Sequence, residues 1–321
     1  MVKILSISKN SFIESIRQPE FCIILASGAA IIATSPLFAV FALMNSEKLI
    51  MDMGLATIML GGVFVAAFSA SSTISREIED KTVLTIISKP VSRLSFIAGK
   101  FIGILAALLA YSYIMILFLL LTARMGAPET AMFKTDWPVI ITQAGGTILI
   151  VLIGFAANYF FDKPFTSTTV FSGLIVYSFL FLVSCFFGRS LLEIQSFGKG
   201  IDLELLKACV VCIFSILILG AVSITISTRF NPVVNISACF CIFILGLLSD
   251  YFFGRYAGEV VAARIMYTVT PNFQLFWLAD ALTAEMVIPL SYVYTAAGYT
   301  ITYVLALICI SFLLFADRDF S

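Results

Sequence analysis

The most polar stretch of this sequence, residues 75–100, carries opposite charges at helical spacing. Arg76 and Asp80 are four residues apart, and so are Glu77 and Lys81. On a helix, such pairs lie on the same face and attract each other. The acidic side chains also fall in the first turn, where the helix dipole favours negative charge. These residues are therefore suited to ion pairs with a protein surface rather than to covalent catalysis.

The second half of the stretch supplies the apolar surface that such a contact needs. Val83, Leu84 and two isoleucines follow the charges, and Lys89-Pro90 comes next. Proline cannot continue a helix, and it disfavours helical geometry at the residue before it. The pattern predicts a short amphipathic helix within residues 75–90, held between two apolar segments.

Several chemistries are excluded by composition. The chain has no histidine, so His-based triads and most zinc sites are not expected. The seven cysteines lie in apolar runs, and Cys209 and Cys212 are interpreted there as small hydrophobic residues. No phosphate-binding loop of the type G-x-x-x-x-G-K-[ST] occurs, so we expect no ATP or metal cofactor on this chain. No basic patch with interleaved aromatic residues indicates nucleic acid as a partner.

Hydropathy defines the elements that must position the polar stretch. Of the 321 residues, 61% are hydrophobic and 12% charged, and the mean hydropathy is +1.08. A span needs about 20 apolar residues to cross a bilayer. The sequence therefore predicts an all-α, polytopic membrane protein, a single domain over residues 1–321 that forms a helical bundle of about eight transmembrane spans. The charge-free runs are 21–46, 53–75, 101–123, 137–161, 164–188, 208–228, 230–249 and 286–316.

Two further segments are predicted outside the spans. Residues 1–19 alternate polar and apolar side chains at helical spacing, which predicts an amphipathic helix on the membrane surface. Residues 254–286 contain an apolar core too short to cross, interrupted by Pro271, and are interpreted as a re-entrant segment before the last span. With both termini cytoplasmic, eleven of the nineteen Lys and Arg residues fall inside, as the positive-inside rule favours.

The order of motifs in the polar stretch resembles the cytoplasmic loop of permeases of ABC-2 type transporters. An acidic pair is followed by Thr-Val-Leu at 82–84, Ser-Lys-Pro at 88–90, Val-Ser-Arg at 91–93 and Gly-Lys at 99–100. The resemblance implies a coupling helix that docks on a separate cytoplasmic ABC ATPase, which binds ATP and Mg. The ATPase-contact residues it implies are Arg76, Glu77, Glu79, Asp80, Lys81, Val83, Leu84, Lys89, Pro90 and Arg93.

The resemblance also carries expectations about architecture and assembly. Six spans are usual in the family, so residues 137–188 are interpreted as an inserted hairpin. The expected assembly is an exporter in the cytoplasmic membrane of a prokaryote, which pairs this permease with a second copy or a paralogue. Gly62, Ala66 and Ala70 lie four residues apart in one span. Small residues at this spacing let helices approach closely, and they indicate either a subunit interface or packing within the subunit.

Two other function classes stay open from the sequence. One is an assembly or maturation factor of the cell envelope, in which an ATPase drives remodelling without moving a solute. The other is an intramembrane enzyme that modifies lipids. Such an enzyme needs acidic or His clusters at the ends of spans, for which Asp250 and Glu259 are the candidates.

Overall fold

The fold is a bundle of long helices. A computed structural model describes residues 2–39, 46–75, 93–126, 136–189 and 193–316. Within these ranges 84% of the residues are helical and no strand occurs. The predicted fold class, an all-α polytopic membrane protein, is confirmed.

Twelve helices are numbered here along the described chain, and short 3-10 turns are left unnumbered. They are α1 (Val2–Ile16), α2 (Pro19–Ala39), α3 (Ser46–Ala70, continued by a π-helical turn Ser71–Ser75), α4 (Arg93–Met125), α5 (Trp137–Phe161, with a π-helical turn at Ile141–Gly145), α6 (Phe165–Ser184), α7 (Leu203–Ser227), α8 (Pro232–Leu247), α9 (Ser249–Phe252), α10 (Val261–Val269), α11 (Ala279–Thr283) and α12 (Leu290–Ala316).

Seven of these helices are long and apolar enough to cross a membrane, namely α2 to α7 and α12. The remaining predicted span, at 230–249, is a broken helix, because α8 and the helical turns that follow it are bent by 66°. Just before the break, the helix packs closely on a later segment of the chain. Gly246 lies directly against Pro271 and Phe273, where a side chain at position 246 would collide with both. The backbone N–H of Phe273 donates to the Gly246 carbonyl at 3.1 Å, which closes this crossing.

The core of the bundle is formed by α3, α4 and α7. In the most apolar part of α4, 78% of the residues are buried, whereas in α12 the share is 11%. Close packing between the central helices depends on glycine. A side chain at Gly62 on α3 would collide with Ile216 on α7, and one at Gly220 would collide with Leu108 on α4. The helices that surround this core expose their apolar side chains, as lipid-facing helices do.

Hydrogen bonds between helix ends define two opposite faces of the bundle. On the first, the Lys100 face, Thr166 Oγ1 donates to the Arg17 carbonyl at 2.6 Å and Lys100 Nζ to the Thr73 carbonyl at 2.7 Å. On the second, the Arg124 face, Arg124 Nη1 donates to the Ser184 carbonyl at 2.8 Å. Consecutive long helices run between these faces in alternating directions. This is the up-and-down order that the predicted spans require.

The segment between α8 and α12 folds into short helices on the Arg124 face. Phe273, Phe276 and Ala279 are buried against the core, and Lys48 at the start of α3 forms an ion pair with Asp280 at 3.5 Å. No helix in residues 254–286 is long enough to cross a bilayer. The predicted depth of this segment in a membrane stays a prediction.

Candidate functional site

The candidate site is the surface formed by the described chain on either side of residues 76–92. Of the implied ATPase contacts, nine lie outside the described residues, namely Arg76, Glu77, Glu79, Asp80, Lys81, Val83, Leu84, Lys89 and Pro90. The tenth, Arg93, begins α4. The structure describes what holds both flanks of this segment. We call that surface the loop base, and define it as α1, the π-helical turn Ser71–Ser75 and the first three turns of α4.

The helix α1 packs directly on α4 in the loop base. A Cβ atom at Gly99 would lie 2.7 Å from Ile7 Cγ2, and one at Gly103 would lie 2.5 Å from the Ser8 carbonyl oxygen. Both glycines therefore allow an approach that any larger residue would prevent. On the side of α1 that faces the protein, Ser15 and Ile16 are fully buried. The N-terminal helix is thus anchored to the bundle along its length.

Lys100 joins the two flanks of the segment. Its Nζ donates to the Thr73 carbonyl at 2.7 Å, lies 3.4 Å from Glu14 Oε2 and lies 5.7 Å from the centre of the Phe96 ring. The last carbonyls of a helix have no partner within the helix, and an ammonium group is a suitable donor for them. The Lys100 side chain is only 3% exposed, so these contacts replace the hydration that a buried ammonium group loses.

A buried amide ties the same π-helical turn to α7 and α8. Asn235 on α8 is fully buried, and its Nδ2 donates to Ser71 Oγ at 2.8 Å and to the Ala67 carbonyl at 3.1 Å. Beside it, Ser223 Oγ on α7 donates to the Ala66 carbonyl at 3.1 Å. Hydrogen bonds of this kind hold helices together in lipid, where apolar surface gives no driving force.

A third connection runs from the junction of α1 and α2. Gln18 Nε2 donates to Ser72 Oγ in the π-helical turn, and the neighbouring Arg17 carbonyl accepts from Thr166 at the start of α6. Local π-helical turns often occur at functional positions of helices. Here the turn contacts four other elements, which are α4, α7, α8 and the junction of α1 and α2.

The three small residues of α3 are placed inside the subunit. Gly62 faces Ile216, Ala66 accepts the hydrogen bond from Ser223, and Ala70 is fully buried. Close helix packing at this spacing is therefore observed, and the neighbouring helix is α7 of the same chain. A role for Gly62, Ala66 and Ala70 at a subunit interface stays a prediction.

Other polar residues of the spans have structural partners. Gln143 Nε2 donates to Thr122 Oγ1 at 2.7 Å and to the Phe118 carbonyl at 3.2 Å, and these hydrogen bonds join α5 to α4. Asn158 Nδ2 donates to the Lys163 carbonyl at 2.9 Å within the turn between α5 and α6. Cys209 and Cys212 are free thiols buried on α7.

Sequence reasoning missed the polar contacts that build the loop base. Glu14 and Thr73 carry no local signal, because their partner Lys100 is distant in sequence. Asn235 carries one signal that could have identified it. It is an amide in an apolar run, four residues after the Asn231 side chain that caps α8. A polar side chain in such a run costs free energy unless another helix satisfies it.

Comparison with known proteins agrees with this architecture. Residues 19–231, about two thirds of the chain, match a family model described as ABC-2 family transporter protein. The chain therefore belongs to the ABC-2 transporter family, and its multi-pass fold makes it a membrane-spanning subunit of an ABC transporter. The match includes the α5–α6 hairpin, whose status as an insertion stays a prediction. Neither a curated protein sequence nor a solved structure matches the chain.

Proposed function

We propose that this chain is the permease subunit of an ATP-driven exporter, and that a separate cytoplasmic ATPase docks on residues 75–90. ATP and Mg bind to that partner. A second copy or a paralogue completes the permease in the cytoplasmic membrane of a prokaryote, with both termini and the Lys100 face on the cytoplasmic side. The observation that carries the proposal is the hydrogen bond from Lys100, on the α4 flank of this segment, to the Thr73 carbonyl on the α3 flank.

The first step of the argument concerns the two helices that hold the segment. Residue 75 ends the π-helical turn of α3, and Arg93 begins α4. A force applied between two unconnected helix ends could simply separate them. The hydrogen bond from Lys100 to the Thr73 carbonyl joins these ends directly. Movement of a docked ATPase would therefore displace α3 and α4 together.

The second step concerns the elements that follow this displacement. Through Glu14, Lys100 is also connected to α1. Asn235 connects the π-helical turn to α8 by a hydrogen bond. Both connections are polar contacts. Asn235 is fully buried, and a hydrogen bond made in such a low-dielectric setting is stronger than the same contact in water. The loop base is thus suited to transmit movement rather than absorb it.

The third step concerns sidedness. The described residues on either side of the charged segment, Thr73 and Lys100 among them, lie at the Lys100 face, on which the turn between α5 and α6 also lies. Positive residues are favoured in cytoplasmic loops, and residues 76–100 contain five of them. A soluble ATPase would meet these charges at this face.

The experiment compares two kinds of damage to the segment. Reversal of Glu77 and Glu79 to Lys places like charges against a basic surface on the partner, and such juxtaposition costs several kcal/mol. Val83→Pro breaks the predicted helix at a cost of about 3 kcal/mol. Tagged protein is purified from membranes of its native host, and ATP hydrolysis is measured per copy of the chain. We expect a fall of at least about tenfold for both variants, equivalent to 1.4 kcal/mol.

Two matched variants control for nonspecific effects. Val83→Ala shortens the same side chain without breaking a helix, and Glu129→Lys makes the same charge reversal in a loop assigned to the other side. Both should retain nearly full ATPase activity and normal membrane insertion. If the double reversal and Val83→Pro also retain it, the segment is not the docking site.

A further inference from the structure

A large groove lies between α2, α4, α5 and α6, away from the loop base. Its volume is about 700 Å³, which is within the usual range for small-molecule sites of 300–1,000 Å³. Small residues create the space. Ala26, Ala29, Ala30 and Ala33 line it along α2, and Gly173 lines it on α6. None of the described residues that line the groove is charged.

Three polar side chains form a single cluster in this apolar wall, namely Gln143, Thr147 and Tyr177. The Thr147 hydroxyl donates to the Gln143 carbonyl one turn earlier. Its only proton is then used, so the 2.6 Å contact between Thr147 Oγ1 and Tyr177 Oη has Tyr177 as the donor. The cluster lies at the π-helical turn of α5, a feature frequent at functional positions.

Two oxygen atoms of this cluster accept no hydrogen bond from the described residues. Both protons of Gln143 Nε2 are donated to α4, so Oε1 is the atom of this amide that remains to bind a ligand. Tyr177 has donated its proton and keeps a lone pair on Oη. No described residue donates to either oxygen. A ligand bound here would therefore be recognised by a donor of its own, such as a hydroxyl group.

Position in the membrane restricts the ligand further. Along α2 the groove extends from Cys22 to Ala33, roughly 16 Å at 1.5 Å per residue. Gln143 lies six residues after Trp137, which begins α5 at the Arg124 face. Between Gln143 and Thr169, the side chains that line the groove are almost entirely apolar. An ionised group within the hydrocarbon region of a bilayer is disfavoured unless an opposite charge or water is close to it. No charged side chain is present to offset that cost, so the ligand is uncharged.

We propose that this groove binds an uncharged, single-chain lipid with a hydroxyl head, a long-chain alcohol in its simplest form. The hydroxyl donates to Gln143 Oε1 or Tyr177 Oη, and the alkyl chain extends along α2 toward the Lys100 face. Such a lipid enters sideways from the bilayer. This site goes beyond the proposed function, because it does not depend on the ATPase or on residues 75–90.

The test uses a hexadecanol that carries a photoreactive diazirine in its chain. The purified protein in phospholipid nanodiscs is irradiated with this probe, and the adducts are mapped by mass spectrometry. We expect adducts on α2, α5 and α6 at residues that line the groove. Unlabelled hexadecanol should compete about tenfold better than hexadecane or hexadecanoate. Equal competition by hexadecane would overturn recognition of the hydroxyl, and equal competition by hexadecanoate would overturn the preference for an uncharged head.

Paired variants locate the site. Tyr177→Phe removes one acceptor and should reduce the preference for hexadecanol several-fold, whereas Tyr294→Phe, on the exposed side of α12, should not. Gly173→Leu places a side chain in the groove with only ordinary contact at its Cβ, 3.5 Å from Ile114 Cδ1. It should abolish labelling, unlike Gly298→Leu, at a position where a Cβ atom has no neighbour within 4 Å. Ala30→Leu fills the groove from α2 and serves as a second blocking variant. Unchanged labelling in a folded blocking variant would overturn the site.

Discussion

Lys100 and Arg124 lie at opposite ends of the same helix, α4, and both are buried basic residues that bind backbone carbonyls. Arg124 donates to the carbonyls of Ser184, Phe187 and Gly188 at 2.8–2.9 Å. Its Nε lies 3.1 Å from Asp136 Oδ2, and this carboxylate is only 1% exposed. Lys100 Nζ donates to the Thr73 carbonyl at 2.7 Å and lies 3.4 Å from the Glu14 carboxylate, which is 34% exposed.

The difference is one of geometry: a planar group with several acceptors holds the Arg124 end fixed, whereas a point charge holds the Lys100 end. A guanidinium group presents its donors in a rigid plane, so several acceptors must be in place at once. An ammonium group is a point charge on a flexible stem, and it can keep a partner while the partner shifts. Arg124 therefore locks the end of α6 and the start of α5 to α4. Lys100 connects the flanks of residues 76–92 through an ammonium group, whose contacts fix no plane.

The largest effect is expected at the fixed end. Arg124→Met leaves Asp136 as a buried charge without its partner, which typically costs 3–5 kcal/mol. Three carbonyls at the end of α6 also lose their donor. We expect a large loss of folded protein, measured as the fraction that stays monodisperse after heating in detergent.

A double variant separates the buried charge from the lost hydrogen bonds. Asp136 also accepts from the Val139 backbone N–H and caps the start of α5, and asparagine can do the same. Adding Asp136→Asn to Arg124→Met should therefore recover part of the stability. If Arg124→Met alone is as stable as the original protein, this end is not fixed by the ion pair.

A smaller effect on stability and a larger one on coupling are expected at the other end. Lys100→Met keeps most of the volume and loses the donor to Thr73. A hydrogen bond to a charged group contributes about 1.5–3 kcal/mol, and the partly exposed Glu14 can be hydrated. We expect a folded protein in which the ATPase still co-purifies but ATP hydrolysis is no longer stimulated by the permease. The measurement is ATP hydrolysis per bound ATPase.

Lys48→Met is the matched control for Lys100→Met. Lys48 pairs with Asp280, which is 83% exposed, on the opposite face of the bundle. Exposed ion pairs contribute about 0–1 kcal/mol, so neither stability nor coupling should change noticeably. Full stimulation in Lys100→Met would mean that Lys100 has a structural role alone, and the mechanical part of the proposal would be wrong.

Sequence patterns predicted the spans well because a charge-free run is a local property. Seven of the eight predicted runs are helices long enough to cross, and the eighth is a helix bent by 66°, with residues 271–273 packed against Gly246 just before the bend. That contact joins positions about 25 residues apart, and no local pattern encodes it. The same limit applied to the loop base, where Asn235 and Ala67 are separated by 168 positions.

Small residues illustrate how far a local pattern extends. The spacing of Gly62, Ala66 and Ala70 correctly predicted a close approach between helices. The identity of the partner could not be predicted, because any apolar helix offers bulky side chains such as Ile216 to fill the space. The resemblance of residues 75–100 to a coupling loop was similarly informative about family, and that family is now shown by the match over residues 19–231.

The smallest effect on the protein itself is expected from single cysteines that assign the two faces to the two sides of the membrane. Lys163 and Lys199 are exposed residues in turns, the first on the Lys100 face and the second beyond the Arg124 face. Asp162 is avoided because its φ of 51° would strain a cysteine. In a background without other cysteines, each surface substitution should change stability by less than about 0.5 kcal/mol. In intact cells, an impermeant thiol reagent should label Lys199→Cys and leave Lys163→Cys unlabelled until the membrane is opened.

Arg229→Cys, in the turn between α7 and α8, should behave as Lys163→Cys does and serves as an independent control. The reverse pattern would place the Lys100 face outside, where no ATPase could reach residues 75–90. Labelling of both Lys163→Cys and Lys199→Cys in intact cells would instead show that α6 does not cross the membrane.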